Sequence, residues 1–186
     1  MNVTETSLPG VLLIEPRAFH DARGYFFETW NQAKYAEKGL TTTFVQDNVS
    51  SSIKGALRGL HLQWPAAQAK LVAVLEGAVF DVAVDIRHGS PTFGQSFGAL
   101  LSAENHRQLF IPEGFAHGFL VTTERATFLY KCSRAYTPSD EMTILWSDPD
   151  LNIEWPAAEP ILSPKDLQGL RLREIPIERL PAYPVE

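Results

Sequence analysis

The sequence predicts an all-β fold, a sandwich or barrel with a few short helices, and three observations lead there. Glycine (12) and proline (13) are spread along the 186 residues and cut the chain into short apolar segments. The clearest periodicity is two: in Phe80-Asp81-Val82-Ala83-Val84-Asp85-Ile86 the even positions are apolar and two odd ones are acidic. Helical patterning is sparse. Many short strands with turn signals between them favour a closed or two-layered β structure over an α/β one.

Taken in order, Val11 to Glu15, Tyr25 to Thr29, Thr43 to Gln46 and Ala69 to Leu75 read as strands, being rich in β-branched and aromatic residues between turn formers. The same reading covers Ala78 to Ile86, Gln95 to Leu101, Arg107 to Ile111, Gly118 to Thr122, Ala126 to Cys132 and Thr143 to Trp146. A helix is expected over Asn31 to Lys38, stopped by Gly39, with a turn at Ser102 to Asn105. Ser163-Pro164 has the cap and first-turn residues of another short helix. No repeat, low-complexity tract or long linker divides the chain, so residues 1–186 are expected to form one domain. Within it, 170–186, rich in proline and charge, reads as a tail lying on the surface.

Composition excludes several classes. A chain of this size buries roughly 70% of its unfolded surface and needs no disulfide or structural metal to build a core. Sixteen Lys and Arg against 22 Asp and Glu give a net charge of -6, which argues against a nucleic-acid groove. Cys132 stands alone and has no intrachain partner, which suits a reducing compartment. No apolar run approaches the ~20 residues of a membrane span, and Met1-Asn2-Val3-Thr4-Glu5 lacks the basic start of a signal peptide. A soluble, cytoplasmic protein is expected.

Chemistry concentrates in two segments, Gly55-Ala56-Leu57-Arg58-Gly59-Leu60-His61-Leu62-Gln63 and Pro112-Glu113-Gly114-Phe115-Ala116-His117-Gly118. Their spacing resembles the two motifs of the cupin superfamily, which implies a jelly-roll β-barrel. The second motif fits well. In the first, Gln63 stands where a second histidine ligand belongs, and Gln68 stands near the place of the glutamate. An amide oxygen is a poor substitute for imidazole or carboxylate on Fe, Mn or Zn, so no metal site is expected. No G-x-G-x-x-G follows a strand, so no nicotinamide cofactor is expected either.

A longer ordered series runs from about Val11 to Gly169. It comprises Phe19-x-Asp21-x-Arg23-Gly24-x-Phe26-x-Glu28, Phe44-Val45-Gln46-Asp47-Asn48, Leu57 to His61 and Gln68-Ala69-Lys70-Leu71-Val72. Phe80 to Arg87, Gly89 to Gly94, Ile111 to Leu120, Tyr130-Lys131-Cys132 and Ser163-x-Lys165-Asp166 complete it. In this order the motifs resemble the dTDP-4-dehydrorhamnose 3,5-epimerase family. Leu62, where that family more often has an aromatic, and Ser147, where it more often has Asn, are small departures.

The resemblance implies a cofactor-independent epimerase that inverts the two carbons flanking the ketone of a dTDP-linked 4-keto-6-deoxy sugar, on the route to dTDP-L-rhamnose. It implies His61 as the base, Asp166 as the carboxylate orienting it, Tyr130 as the acid on the opposite face and Lys70 as the stabiliser of enolate charge. Arg58 and His117 would line the sugar or phosphate region. Arg23, Glu28, Gln46, Asp47, Asn48, Glu141 and Lys165 would hold the nucleotide or frame the pocket, with Phe26 or Tyr136 against the thymine. It further implies a homodimer exchanging N-terminal strands, with no nucleic-acid or membrane partner. Other readings stay open on the residues themselves: Ser163-x-x-Asp166 is also a capping pattern, and Tyr130 is also an ordinary core tyrosine. Phe128, Tyr130 and Cys132 share one strand face, as do Lys70, Val72 and Val74. Strict alternation sets Arg58 and His61 on opposite faces, so both reach one pocket only if Gly59 permits a bulge.

Overall fold

A computed structural model describes residues 1–183. Its strands are β1 (Asn2–Glu5), β2 (Leu12–Glu15), β3 (Phe19–Asp21), β4 (Gly24–Phe26), β5 (Gln46–Ile53), β6 (Leu57–Gln63) and β7 (Lys70–Glu76). They continue as β8 (Ala78–Asp85), β9 (Ser96–Ser102), β10 (Gln108–Ile111), β11 (Phe115–Val121), β12 (Arg125–Cys132) and β13 (Glu141–Thr143). One helix, α1 (Gln32–Ala36), follows β4, and short 3-10 turns occupy Pro138–Asp140 and three stretches between Asp166 and Arg179.

Two antiparallel sheets face each other, one ordered β1-β2-β10-β7-β12-β5 and the other β13-β6-β11-β8-β9, with β3 and β4 paired as a separate hairpin. From β5 to β8 the chain crosses between sheets at each step, which is the jelly-roll weave. Val72, Val74, Leu109 and Phe128 from the first sheet meet Val79, Ala83, Leu101 and Phe119 from the second, closing one end of the barrel.

Each outer face is covered in part. Leu71 and Phe110 on the six-stranded sheet pack against Tyr35, Leu40, Trp30 and Phe44. The helix bringing Tyr35 there is shorter than the expected Asn31 to Lys38. Asn31 caps it, its side-chain oxygen accepting from the Lys34 N–H at 3.3 Å, and Gly39 at φ 89° turns the chain away. Leu60, Val82, Val84 and Ile86 on the other sheet are roofed by Leu151, Leu172, Ile175 and Leu180. The expected tail is therefore part of the hydrophobic structure as far as Leu180, while 184–186 lie outside the described residues.

Several boundaries differ from the sequence reading. The strand expected at Thr43 to Gln46 begins at Gln46 and runs to Ile53, and that expected at Gly118 to Thr122 begins at Phe115 and so contains His117. Thr143 to Trp146 is replaced by β13, and Tyr25 to Thr29 by the short β4. Asp81 and Asp85 of β8 do not form a solvent face: both are 0% exposed. Among the described residues no helix is long and apolar enough to cross a membrane.

Candidate active site

The open end of the barrel is lined by polar side chains from both sheets. Strand β6 supplies two of them through an irregularity. His61 lies opposite His117 of β11 and Arg58 lies opposite Phe119, so Gly59 and Leu60 together face one residue, Gly118. That β-bulge turns Arg58 and His61 to the same cavity. Two glycines make it possible. Gly59 sits at φ 123°, and a Cβ there would lie 2.6 Å from the Gly118 Cα; one on Gly118 would lie 2.8 Å from the Arg58 carbonyl oxygen.

His61 Nε2 is 2.6 Å from Asp166 Oδ1. Asp166 is 3% exposed and also accepts from the Ser163 hydroxyl at 2.7 Å, while its own N–H donates to Ser163 Oγ at 3.2 Å. The capping pattern and the dyad thus coexist: Ser163 caps the turn and braces the carboxylate. Burial pushes the Asp166 carboxyl up, but the hydrogen bonds from His61 and Ser163 outweigh it and hold it below the usual carboxylate range. An ionised carboxylate only accepts, so Nε2 carries the proton and Nδ1 is left as the basic atom.

Across from His61, Tyr130 projects from β12 of the other sheet, and Lys70 of β7 stands beside it, opposite Cys132 in the strand register. Burial pushes the Tyr130 phenol up, keeping it protonated near neutral pH. Burial lowers the Lys70 ammonium, with Cys132, Asp81 and Glu141 pulling the other way. Among the described residues Lys70 has no salt-bridge partner, and it lines two adjoining lobes of the cleft. An outer lobe of about 310 Å³ is lined by Gln46, Asn48, Gln68, Tyr136 and Glu141, and an inner one of about 200 Å³ by Arg58, His117 and Phe128. Both share His61, Lys70 and Tyr130. A third lobe of about 500 Å³ runs from Arg58 and His61 past Ser163 and Lys165 to Arg125.

At the mouth, Glu141 is ion-paired with Lys165 and accepts from the Tyr136 hydroxyl at 2.7 Å. Burial raises the Glu141 carboxyl, but Lys165 and Tyr136 more than offset it and hold it low. The Tyr136 N–H donates to Gln46 Oε1 at 3.0 Å, and the Gln46 amide in turn donates to Asn48. Gln63 has another job than ligation. Its Oε1 accepts from the Thr137 N–H at 2.8 Å and its Nε2 donates to the carbonyls of Ala66 and Ala135, so the amide staples two loops under the cleft.

Four expected residues, Asp47, Arg23, Phe26 and Glu28, are not brought to the cleft of this chain, Phe26 standing 67% exposed on the β3–β4 hairpin. Asp47 projects from the outer face of β5 and pairs with Lys131 at 2.8 Å, because alternation leaves only Gln46 and Asn48 facing inward. Arg23 lies on the β3–β4 hairpin, its side chain 91% exposed and paired with Asp21. Glu28 is paired with Lys34. Sequence reasoning missed Ser163 as a brace, Ser52, whose hydroxyl accepts from Arg58 Nε at 3.0 Å, and a second buried imidazole–carboxylate pair, His117 with Asp81. The acidic positions of the β8 alternation were the available signal for the last.

Fold and cleft together define a jelly-roll protein with an imidazole–carboxylate pair on one wall of a polar cleft and a phenol and a lysine on the other. Residues 5–174 match the family model described as dTDP-4-dehydrorhamnose 3,5-epimerase. A protein of that name from Shigella flexneri is 56% identical over 171 residues, 91% of this chain and 94% of that protein. Among solved structures, a dTDP-6-deoxy-D-glucose-3,5-epimerase from Legionella pneumophila in complex with dTDP-4-keto-L-rhamnose is 50% identical, with a TM-score of 0.96 over 99% of both chains. A 3'-monoepimerase from Streptomyces bikiniensis in complex with dTDP-quinovose is 35% identical, with a TM-score of 0.88 over 96% of this chain and 92% of its own. The chain belongs to the dTDP-4-dehydrorhamnose 3,5-epimerase family.

Proposed function

We propose that this isomerase inverts C3 and C5 of dTDP-4-dehydro-6-deoxy-D-glucose, giving dTDP-4-dehydro-L-rhamnose, with His61 as base and Tyr130 as acid. The observation that carries this reading is the opposition of the His61–Asp166 pair on one sheet to Tyr130 on the other, with Lys70 between two lobes of the cleft. A hydrogen alpha to a ketone leaves as a proton because its electron pair delocalises onto the carbonyl oxygen. On a D-gluco ring the C3 and C5 hydrogens are axial on one face, so a single base serves both carbons.

His61 Nδ1 takes the proton, and the imidazolium that forms is stabilised by Asp166. The Lys70 ammonium neutralises the developing enolate, where a charge aimed at the reacting oxygen in a water-poor site counts most. Tyr130 donates from the other face and inverts the carbon. Protons leave and return with no net change in oxidation, so the scheme calls on neither a metal nor a redox cofactor. Arg58, His117, Gln46, Asn48, Glu141 and Lys165 line the remaining cleft and suit the hydroxyls, diphosphate and base of the sugar nucleotide.

A second copy of the chain completes the site in this reading. The β3–β4 hairpin exposes Phe19, Tyr25 and Phe26 beside Arg23, and the six-stranded sheet exposes Val49 and Ile53 on β5, with Val45 just before it, and Leu75 on β7, more apolar surface than a lone chain favours. Exchange of the hairpin would carry Arg23 and Glu28 to the partner's nucleotide. Incubation with the 4-keto sugar nucleotide in deuterated water, followed by NMR, tests the reaction: deuterium at both C3 and C5 of an inverted product is expected. Inversion at one carbon alone would make the chain a mono-epimerase, and an unchanged substrate would refute the reading.

A further inference from the structure

The inner lobe holds a second imidazole–carboxylate pair. His117 stands opposite His61 in the β6–β11 register, and its Nε2 lies 2.9 Å from Asp81 Oδ2 and 3.1 Å from Oδ1. The side chains are 8% and 0% exposed. Among the described residues Asp81 has no other hydrogen-bond donor and His117 Nδ1 no partner of its own. A carboxylate this deep is costly unless paired, and a strand interior filled by Val79 and Ala83 offers no packing reason for one. As at His61, a carboxylate that accepts from Nε2 fixes the tautomer and presents Nδ1 as an acceptor. The ring is also held flat against Phe128, stacked at 6.1 Å and 18°.

The two carbons to be inverted differ in one respect that such an acceptor can read. C3 carries a hydroxyl and C5 a methyl group. When C3 loses its proton it becomes planar, and its hydroxyl moves into the plane of the enediolate. A rigid acceptor for that hydroxyl favours the planar state, whereas the C5 step has no such group on the reacting carbon. Resting on the function proposed above, we propose that Asp81 is a positioning residue: it locks His117 as the acceptor for the C3 hydroxyl, and the pair thereby promotes the C3 inversion selectively.

Asp81→Asn keeps the shape but lets the amide donate to Nε2, which moves the ring proton to Nδ1 and turns the acceptor into a donor. Deuterium uptake at C3 and C5, followed by NMR for wild type and variant together, reads the effect. Loss of the carboxylate behind a metal-ligating imidazole typically costs roughly 10- to 100-fold, and a fall of at least about 10-fold is expected here in the ratio of C3 to C5 exchange. His117→Phe, which keeps a ring but has no acceptor, should lower the same ratio and decides the matter should Asp81→Asn not fold. An unchanged ratio in the folded variants, whether both rates fall together or neither falls, would overturn the proposal. Wild-type protein without exchange at either carbon would instead overturn the reaction on which it rests.

Discussion

At the residue scale, the site consists of ordinary side chains made useful by their partners. Asp166 and Ser163 give His61 its tautomer, burial keeps Tyr130 a neutral acid, and Lys70 is left without a counter-ion for the substrate to meet. Replacing His61 by Ala should therefore lower kcat by at least the ~10²- to 10⁴-fold typical of a general base, with folding retained by circular dichroism. Lys70 stood out by breaking a local rule, as a lysine in an apolar strand, and His61 as a histidine among small residues, but their roles, and the distinction of Tyr130 from an ordinary core tyrosine, came from the family resemblance. Asp81 breaks the same kind of rule and is equally visible in the alternation of β8, but its partner is 36 positions away and only the pairing of β8 with β11 reveals it.

At the element scale, β5 and β6 explain what the sequence concealed. Strand β5 inverts the usual pattern. Its inward residues are Gln46, Asn48, Ser50 and Ser52, and the outward Val49 and Ile53 are 63% and 55% exposed. Hydrophobic periodicity reads that strand inside out or overlooks it. In β6 the bulge defeats alternation, yet the glycine that permits it was in view. Gly59→Ala must force a Cβ into Gly118 at a φ of 123°, so a loss of stability of about 1–3 kcal/mol is expected. Activity should fall further than stability alone explains, because Arg58 and His61 lose their common direction; melting temperature and kcat measured together check both. The roof over the second sheet acts on stability alone. Leu172→Ala, 5% exposed and remote from the cleft, should cost about 2–5 kcal/mol in denaturant while leaving KM unchanged.

At the scale of the whole molecule, the closed end of the barrel is a conventional core and the open end collects buried charge. That division sets the pH response. Burial raises Asp85, but hydrogen bonds from Arg87, Ser90 and Thr92 prevail, and its folded value lies below the ordinary 3.8. A carboxyl depressed in the folded state contributes stability above its unfolded pKa and loses it as pH falls through the folded value. Asp85 and Asp166 share this sign, so the melting temperature should hold steady from about pH 7 to 5 and drop steeply below about pH 4. Asp85→Asn should lower it at neutral pH and flatten the acid limb. A sandwich or barrel was legible from strand number and turn spacing, and the jelly roll from the resemblance to the cupin motifs. The proposed association of chains rests on the family resemblance, and Arg23 and Glu28 have no cleft to serve within one chain.

In the proposed mechanism protons leave to one face of the sugar and return from the other. Deuterium exchange by His61→Ala and Tyr130→Phe, with product stereochemistry read by NMR, tests it most directly. His61→Ala should neither exchange nor invert. Tyr130→Phe should keep the ring packing, still form the enolate and wash deuterium into the substrate with retention, while inversion is strongly slowed. Wild-type inversion in Tyr130→Phe, or equal residual inversion in the two variants, would contradict a two-sided site.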